Sequence, residues 1–158
     1  MIISLCGDED DKRRVINELK NVYQDKLVIC DYYKIQFRTI IETESIKFKL
    51  INECDTLDSA HRIYRKYVDK IVSNKTEEFL EKNKDKIILL ISNNILSKDI
   101  NNTPYFKKSD LKILLTSEKK INDSLSIFSH KKLYDKNNFD CVFYDNEKID
   151  VKKLVKLW

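Results

Sequence analysis

Short runs of uninterrupted apolar residues alternate with longer amphipathic stretches along this chain of 158 residues. The apolar runs are Met1 to Cys6, Lys26 to Cys30, Lys86 to Ser92, Leu111 to Thr116 and Phe139 to Tyr144. They are rich in β-branched residues and show little polar alternation, which predicts strands covered on both faces, as in a parallel sheet. The amphipathic stretches predict helices. From Asp11 to Tyr23, Val15, Ile16, Leu19 and Val22 fall on one stripe. A second helix is predicted near Tyr33 to Thr43, and a long one from Leu57 to Lys82, capped by Thr56 or Asp58, with Ile63, Tyr67, Ile71, Phe79 and Leu80 expected to face inward. Glu118 to Phe128 and Val151 to Leu157 complete the set. Strands alternating with helices predict an α/β fold, a three-layer, doubly wound sheet of five parallel strands. Ser92 to Asp110, which holds the lone Pro104, is the longest predicted loop.

Length changes the picture only by limiting it. A chain of this size with 42% hydrophobic content supports one domain over residues 1–158. Thirty basic residues against 26 acidic give a net charge of +4. The charges are interspersed, and 25 of the basic residues are Lys, so the clustered basic face of a nucleic-acid binder is missing and no nucleic-acid partner is expected. Cys6, Cys30, Cys54 and Cys141 form no C-x-x-C pair, and His61 and His130 have no ligand-spaced partner, so buried free thiols and no metal site are expected. No run approaches the ~20 apolar residues that span a bilayer, and no leader pattern opens the chain. A cytoplasmic protein without a membrane partner is the expectation.

Candidate chemistry begins at "SLCGDEDDKRR", residues 4 to 14, which contains the only glycine, Gly7. It follows the first predicted strand and leads into the first helix, where nucleotide-binding proteins place a phosphate-cradling loop. Four consecutive acids, Asp8, Glu9, Asp10 and Asp11, occupy the position of the phosphate. At an effective dielectric of 20, one pair of like unit charges at 4 Å costs about 4 kcal/mol. The same acids suit the positive end of a helix dipole. Asp31, at a strand end, reads either as a general base or as the cap of the next helix. "HRIYRKY", residues 61 to 67, sets His61, Arg62 and Arg65 on neighbouring turns; it reads as a clasp for an anionic ligand or as a solvated helix face. Tyr32 and Tyr33 read as a ring-stacking pair or as core-edge packing, and Trp158 as an anchor for the last helix.

In order and spacing these segments resemble the P-loop kinases of the nucleoside monophosphate kinase type, most closely the dephospho-coenzyme A kinases. Such kinases open with a strand, then G-x-x-x-x-G-K-[ST], then a helix. The register keeps Gly7 as the first glycine and puts Lys12 at the second glycine, Arg13 at the lysine and Arg14 at the magnesium-binding hydroxyl. "VICDYYKI" looks like the family's strand-end D-x-D-K-I, with Asp31 at the first aspartate and Tyr33 at the second. The family's His-Pro pair falls at Ser73-Asn74, its Pro-Leu-Leu at Asn93-Asn94-Ile95, and its closing Asn near Asn146. Its arginine-bearing lid is shortened here to about residues 117–138, which contain no Arg and whose tip carries His130, Lys131 and Lys132.

The resemblance therefore implies a phosphate site at Gly7, Lys12, Arg13 and Arg14, a base at Asp31 and substrate contacts from Arg62 and Arg65. An Arg at the hydroxyl position supplies no oxygen ligand to Mg²⁺, the ion that neutralises charge in phosphoryl transfer. Two functions follow as expectations. One is a degenerate kinase-like protein, non-catalytic or weakly nucleotide-binding, that needs no cofactor and offers a surface to a protein partner. The other is a divergent small-molecule kinase that uses Mg-ATP to phosphorylate dephospho-coenzyme A, a related coenzyme A precursor or a nucleoside monophosphate.

Overall fold

A computed structural model describes residues 1–7, 9–91, 104–116 and 138–144. In chain order the elements are β1 (Ile2–Gly7), α1 (Glu9–Tyr23), β2 (Leu27–Asp31), α2 (Tyr32–Glu42), α3 (Glu44–Glu53), α4 (Leu57–Lys82), β3 (Ile87–Ile91), α5 (Pro104–Lys107), β4 (Leu111–Thr116) and β5 (Cys141–Tyr144). Two compact units make up the chain, one of residues 1–29 and 84–158, the other of residues 30–83.

The five strands form one parallel sheet in the order β2-β3-β1-β4-β5. The expected α/β class is thus observed, and β1 lies at the centre of the sheet. Alternation along the strands separates two faces. Ile3 and Leu5 of β1, with Leu89, Ile113 and Leu115, turn to the side where Val15 and Leu19 of α1 close the core. Cys6 and Leu114 turn to the other side, against Phe106 of α5. Helices therefore cover both faces. Full burial of one such aliphatic side chain contributes about 1.5–3 kcal/mol, so this stripe, more than helix propensity, holds α1 on the sheet. Strand entries are fixed by two aspartates. Asp110 Oδ2 accepts the Ile2 N–H at 2.7 Å while the Asp110 N–H donates to the Ile2 carbonyl at 2.8 Å. Asp140 treats Lys112 in the same way, at 2.7 and 2.9 Å. On the second face the Ser4 hydroxyl meets that of Ser109 at 2.6 Å, and Ser109 donates on to the Tyr105 carbonyl, so neither buried polar group is left unmatched.

The second unit is helical beyond the end of β2. Thr43 alone separates α2 from α3, and α4 packs against both. Thr56 caps α4, its Oγ1 accepting the Ser59 N–H at 3.2 Å, as the sequence predicts. The buried face of α4 differs from the expected one. Ala60, Tyr64, Val68, Val72 and Thr76 face inward at a strict four-residue spacing, whereas Ile63 and Tyr67 are 45% and 41% exposed and Ile71, Phe79 and Leu80 are half-buried. Tyr64, Val68 and Val72 of that stripe form a core cluster with Tyr32 and Ile35 of α2 and Leu50 of α3 packed against it. Buried threonine hydroxyls are satisfied within their own helices, Thr39 by the Ile35 carbonyl and Thr76 by that of Val72. α3 was outside the predicted elements; it buries no residue completely, which is why its apolar periodicity is weak. α5 occupies part of the predicted loop.

Candidate functional site

At the β1–α1 junction, Gly7 is the last strand residue and Glu9 the first helical one, so a single position separates strand from helix. The G-x-x-x-x-G pattern would place four residues there before the second glycine, and helix onset near Asp11 was expected. Helix onset at Glu9 brings Asp10 and Asp11 into the first turn of α1, where carboxylates complement the dipole and the free backbone N–H groups. Gly7 itself has φ +118°, a conformation L side chains rarely adopt, and a Cβ there would overlap the backbone carbonyl oxygen of Leu115. It pairs with Leu115 across the β1–β4 ladder. The neighbouring strand thus leaves no room for a side chain at this position.

The three cations that follow have different surroundings. Lys12 is 1% exposed and continues the inward stripe of Val15 and Leu19. Arg13 and Arg14 are exposed. Arg14 Nη2 lies 3.4 Å from Asp11 Oδ1, one turn back, so part of its charge is already directed to an acid of the same helix.

Asp31 ends β2 and caps α2, its Oδ1 accepting the Lys34 N–H at 2.9 Å. One of its two expected readings, the cap, is thus seen directly. The preceding residue, Cys30, is 1% exposed, and its thiol is pushed up to about 12 by burial and, secondarily, by the neighbouring Asp31 charge. All four cysteines are free; Cys6 and Cys30 are buried, while Cys54 and Cys141 are half-buried. Cys30 is therefore held as the unreactive thiol at pH 8, and a thiol-specific disulfide reagent is expected to label the half-buried Cys54 long before Cys30. Labelling of Cys30 as fast as Cys54, read by peptide mass, would contradict its burial. Because its folded value lies above the unfolded 9.0, its contribution to stability is complete below pH 9 and is lost as pH rises towards 12. Of the neighbouring aromatics, Tyr32 packs against the Tyr64 cluster, and the exposed Tyr33 stacks on Phe37 at 6.4 Å.

Within the second unit a cavity of about 630 Å³ opens between α2, α3 and α4. Tyr64 and Val68 line it from the inward stripe of α4, and the Tyr64 ring is fixed by its hydroxyl, which donates to the Ile40 carbonyl at 3.2 Å and lies 3.0 Å from Thr43 Oγ1. His61, Arg62 and Arg65 stand along one edge because residues one, three and four apart share adjoining turns. Lys47 of α3 joins them, with Asp69 the one acid of the lining. Among the described residues none of Lys47, His61, Arg62 and Arg65 enters a side-chain ion pair. Arg62 and Arg65, singled out in the sequence, are thus brought together; Lys47 and Gln36 were missed, because α3 was not foreseen and a lone Gln on α2 carries no signal.

The candidate residues fall on both units: Gly7, Lys12, Arg13 and Arg14 on the first, Asp31, Arg62 and Arg65 on the second. Residues 117–138, expected as a shortened lid, lie outside the described residues apart from Asn138, as do Asp8, Asn93 to Ile95, Asn146, Trp158 and the helices expected at 118–128 and 151–157. Among the described residues no group of three or more His, Cys, Asp or Glu could hold a metal ion, and no helix is long and apolar enough to cross a membrane.

No protein-family model matches the chain, and no curated protein matches it. Its structure is similar to the crystal structure of TT1252 from Thermus thermophilus, with a TM-score of 0.63 over 99% of this chain and 95% of that one, at 12% identity. At that identity the likeness speaks for the fold.

Proposed function

We propose that this chain is a degenerate P-loop kinase-like protein that does not transfer phosphate and acts as a binding or scaffold module. The observation that carries this reading is the start of α1 at Glu9, two residues after Gly7. A phosphate loop needs bare backbone wrapped around the anion, with converging N–H groups and a free cation at its end. Here that backbone belongs to the first helical turn, its side chains are acids, and the nearest lysine, Lys12, is buried. Arg14, at the position of the magnesium-binding hydroxyl, has no oxygen ligand to give. These residues do not fit Mg-ATP, so no transfer step is derived. A binding role is supported by the exposed large apolar side chains. Apart from Val22, all those among the described residues belong to the second unit, including Tyr33, Phe37, Ile41 and Phe48.

Millimolar Mg-ATP is expected to leave the melting temperature unchanged. A ligand present at fifty times its Kd would stabilise by about 2 kcal/mol, a shift of several degrees for a domain of this size. A shift of that size, abolished by Arg13→Ala, would overturn the proposal in favour of a divergent small-molecule kinase, with Arg13 replacing the loop lysine and Asp31 as base.

A further inference from the structure

We propose that the outward face of α2 is a docking surface for a single amphipathic helix of an acidic partner protein, seated by apolar contacts and held in register by carboxylates along one edge. The inference deepens the binding-module reading above and rests on it.

α2 is apolar on two sides. Inward, Tyr32 and Ile35 pack against the Tyr64 cluster, and Thr39 is fully buried. Outward, Tyr33, Phe37 and Ile41 recur every four residues and form a second stripe, 50%, 53% and 58% exposed. The Tyr33 and Phe37 rings stack on one another with an interplanar angle of 15°, so the aromatic part of the stripe is arranged before anything binds. A surface helix needs one apolar face to hold it down; a second one calls for something else to cover it.

The charges beside the stripe select the occupant. Lys34 and Arg38 form the adjoining row, both exposed, and among the described residues neither enters a side-chain ion pair. Glu42, the one acid of α2, is engaged by Lys75 of α4 at 2.6 Å. The opposite flank of the stripe carries the neutral Gln36. A second copy of this chain therefore leaves the cations unmatched. Docked antiparallel, a two-fold pair sets the row of Lys34 and Arg38 against itself; docked parallel, it sets that row against Gln36. An anionic bilayer is also a poor match. α2 and α3 together carry four basic residues against three acidic, a net charge of +1, whereas lipid-binding segments cluster about 4–8 cations. A helix with an apolar stripe and two carboxylates one turn apart on its edge meets both the rings and the cations.

The area agrees with one helix. Large side chains of this kind bury about 150–250 Å² each when fully covered, so three half-exposed ones offer on the order of 300 Å². That is less than half of the ~800 Å² per partner of a standard interface between globular proteins.

The experiment titrates the full chain into two fluorescently labelled peptides of about 18 residues, long enough to form a helix on docking, and follows their anisotropy. Both carry leucine along one helical face; one has glutamate along the edge of that face, the other lysine. The glutamate peptide is expected to saturate, to bind about tenfold more tightly than the lysine peptide, and to weaken as salt is raised. Lys34→Glu/Arg38→Glu should reverse that preference, and Phe37→Ser should weaken the glutamate peptide about tenfold. All three positions are exposed, so the variants should melt as the parent does. Absence of saturation, equal binding of the two peptides, or a preference unmoved by the charge reversal would each overturn the proposal. So would partition of the chain into phosphatidylserine vesicles, or its dimerisation in sedimentation, if Phe37→Ser abolished it. No nucleotide is present in these titrations, which keeps the two readings apart. A chain that ignores both peptides and Mg-ATP loses the docking surface and keeps the non-catalytic reading, whereas a shift with Mg-ATP ends that reading even if the peptide binds.

Discussion

Gly7→Ala is expected to destabilise the protein by on the order of 4 kcal/mol, with the urea midpoint falling steeply at constant m-value. Two costs add. At φ +118° a residue with a Cβ is strained by about 1–3 kcal/mol. The new methyl group also meets the carbonyl oxygen, carbon and nitrogen of Leu115, which are backbone atoms of the neighbouring strand and cannot rotate away as a side chain would. Relief requires β1 and β4 to move apart at the centre of the sheet, where their ladder runs from Ile3 to Gly7. Domains of this size are stable by only about 5–15 kcal/mol, so the loss is a large share of the total. A cost below about 1 kcal/mol would be incompatible with the β1–β4 register.

Lys12→Ala should cost on the order of 3 kcal/mol, while Lys20→Ala on the exposed side of the same helix changes stability by less than about 0.5 kcal/mol. Lys12 is 1% exposed and holds the position of the inward stripe one turn before Val15 and Ile16. Truncation removes the packing of its buried four-carbon stem. Thermal and urea unfolding of the two variants compare them directly. Equal, small effects would mean that Lys12 is presented to solvent, as a phosphate-loop residue would be.

Much of the fold was legible because strand and helix differ in period and because the boundaries carried chemical marks. β4 (Leu111–Thr116) and α4 (Leu57–Lys82) coincide with their expected limits, the latter because Thr56 supplies a cap and apolar residues recur without a Gly or Pro break. The inward face of α4 was not legible. Residues 63, 67 and 71 and residues 60, 64, 68 and 72 share the same four-residue spacing, and only packing against α2 and α3 selects the second set. Lys12 carries a charge that points to solvent or ligand, yet its place in the stripe with Val15 and Leu19 is the better guide, because the long apolar stem can be buried there. The cavity was half legible. Arg62 and Arg65 stand out at helical spacing, but Lys47 is distant in sequence and reaches the same wall only through α3.

Placing Ile2–Gly7 between β3 and β4 also sets an order of assembly. The middle of the sheet cannot close until residues 87–91 and 111–116 are available to flank it. During synthesis the first strand must therefore wait, its amides solvated, while the helices of residues 32–82, whose contacts are nearer in sequence, can already collapse on one another. Such long-range closure makes formation of the sheet the slow step and leaves an apolar segment exposed to mispairing until the second half of the chain arrives.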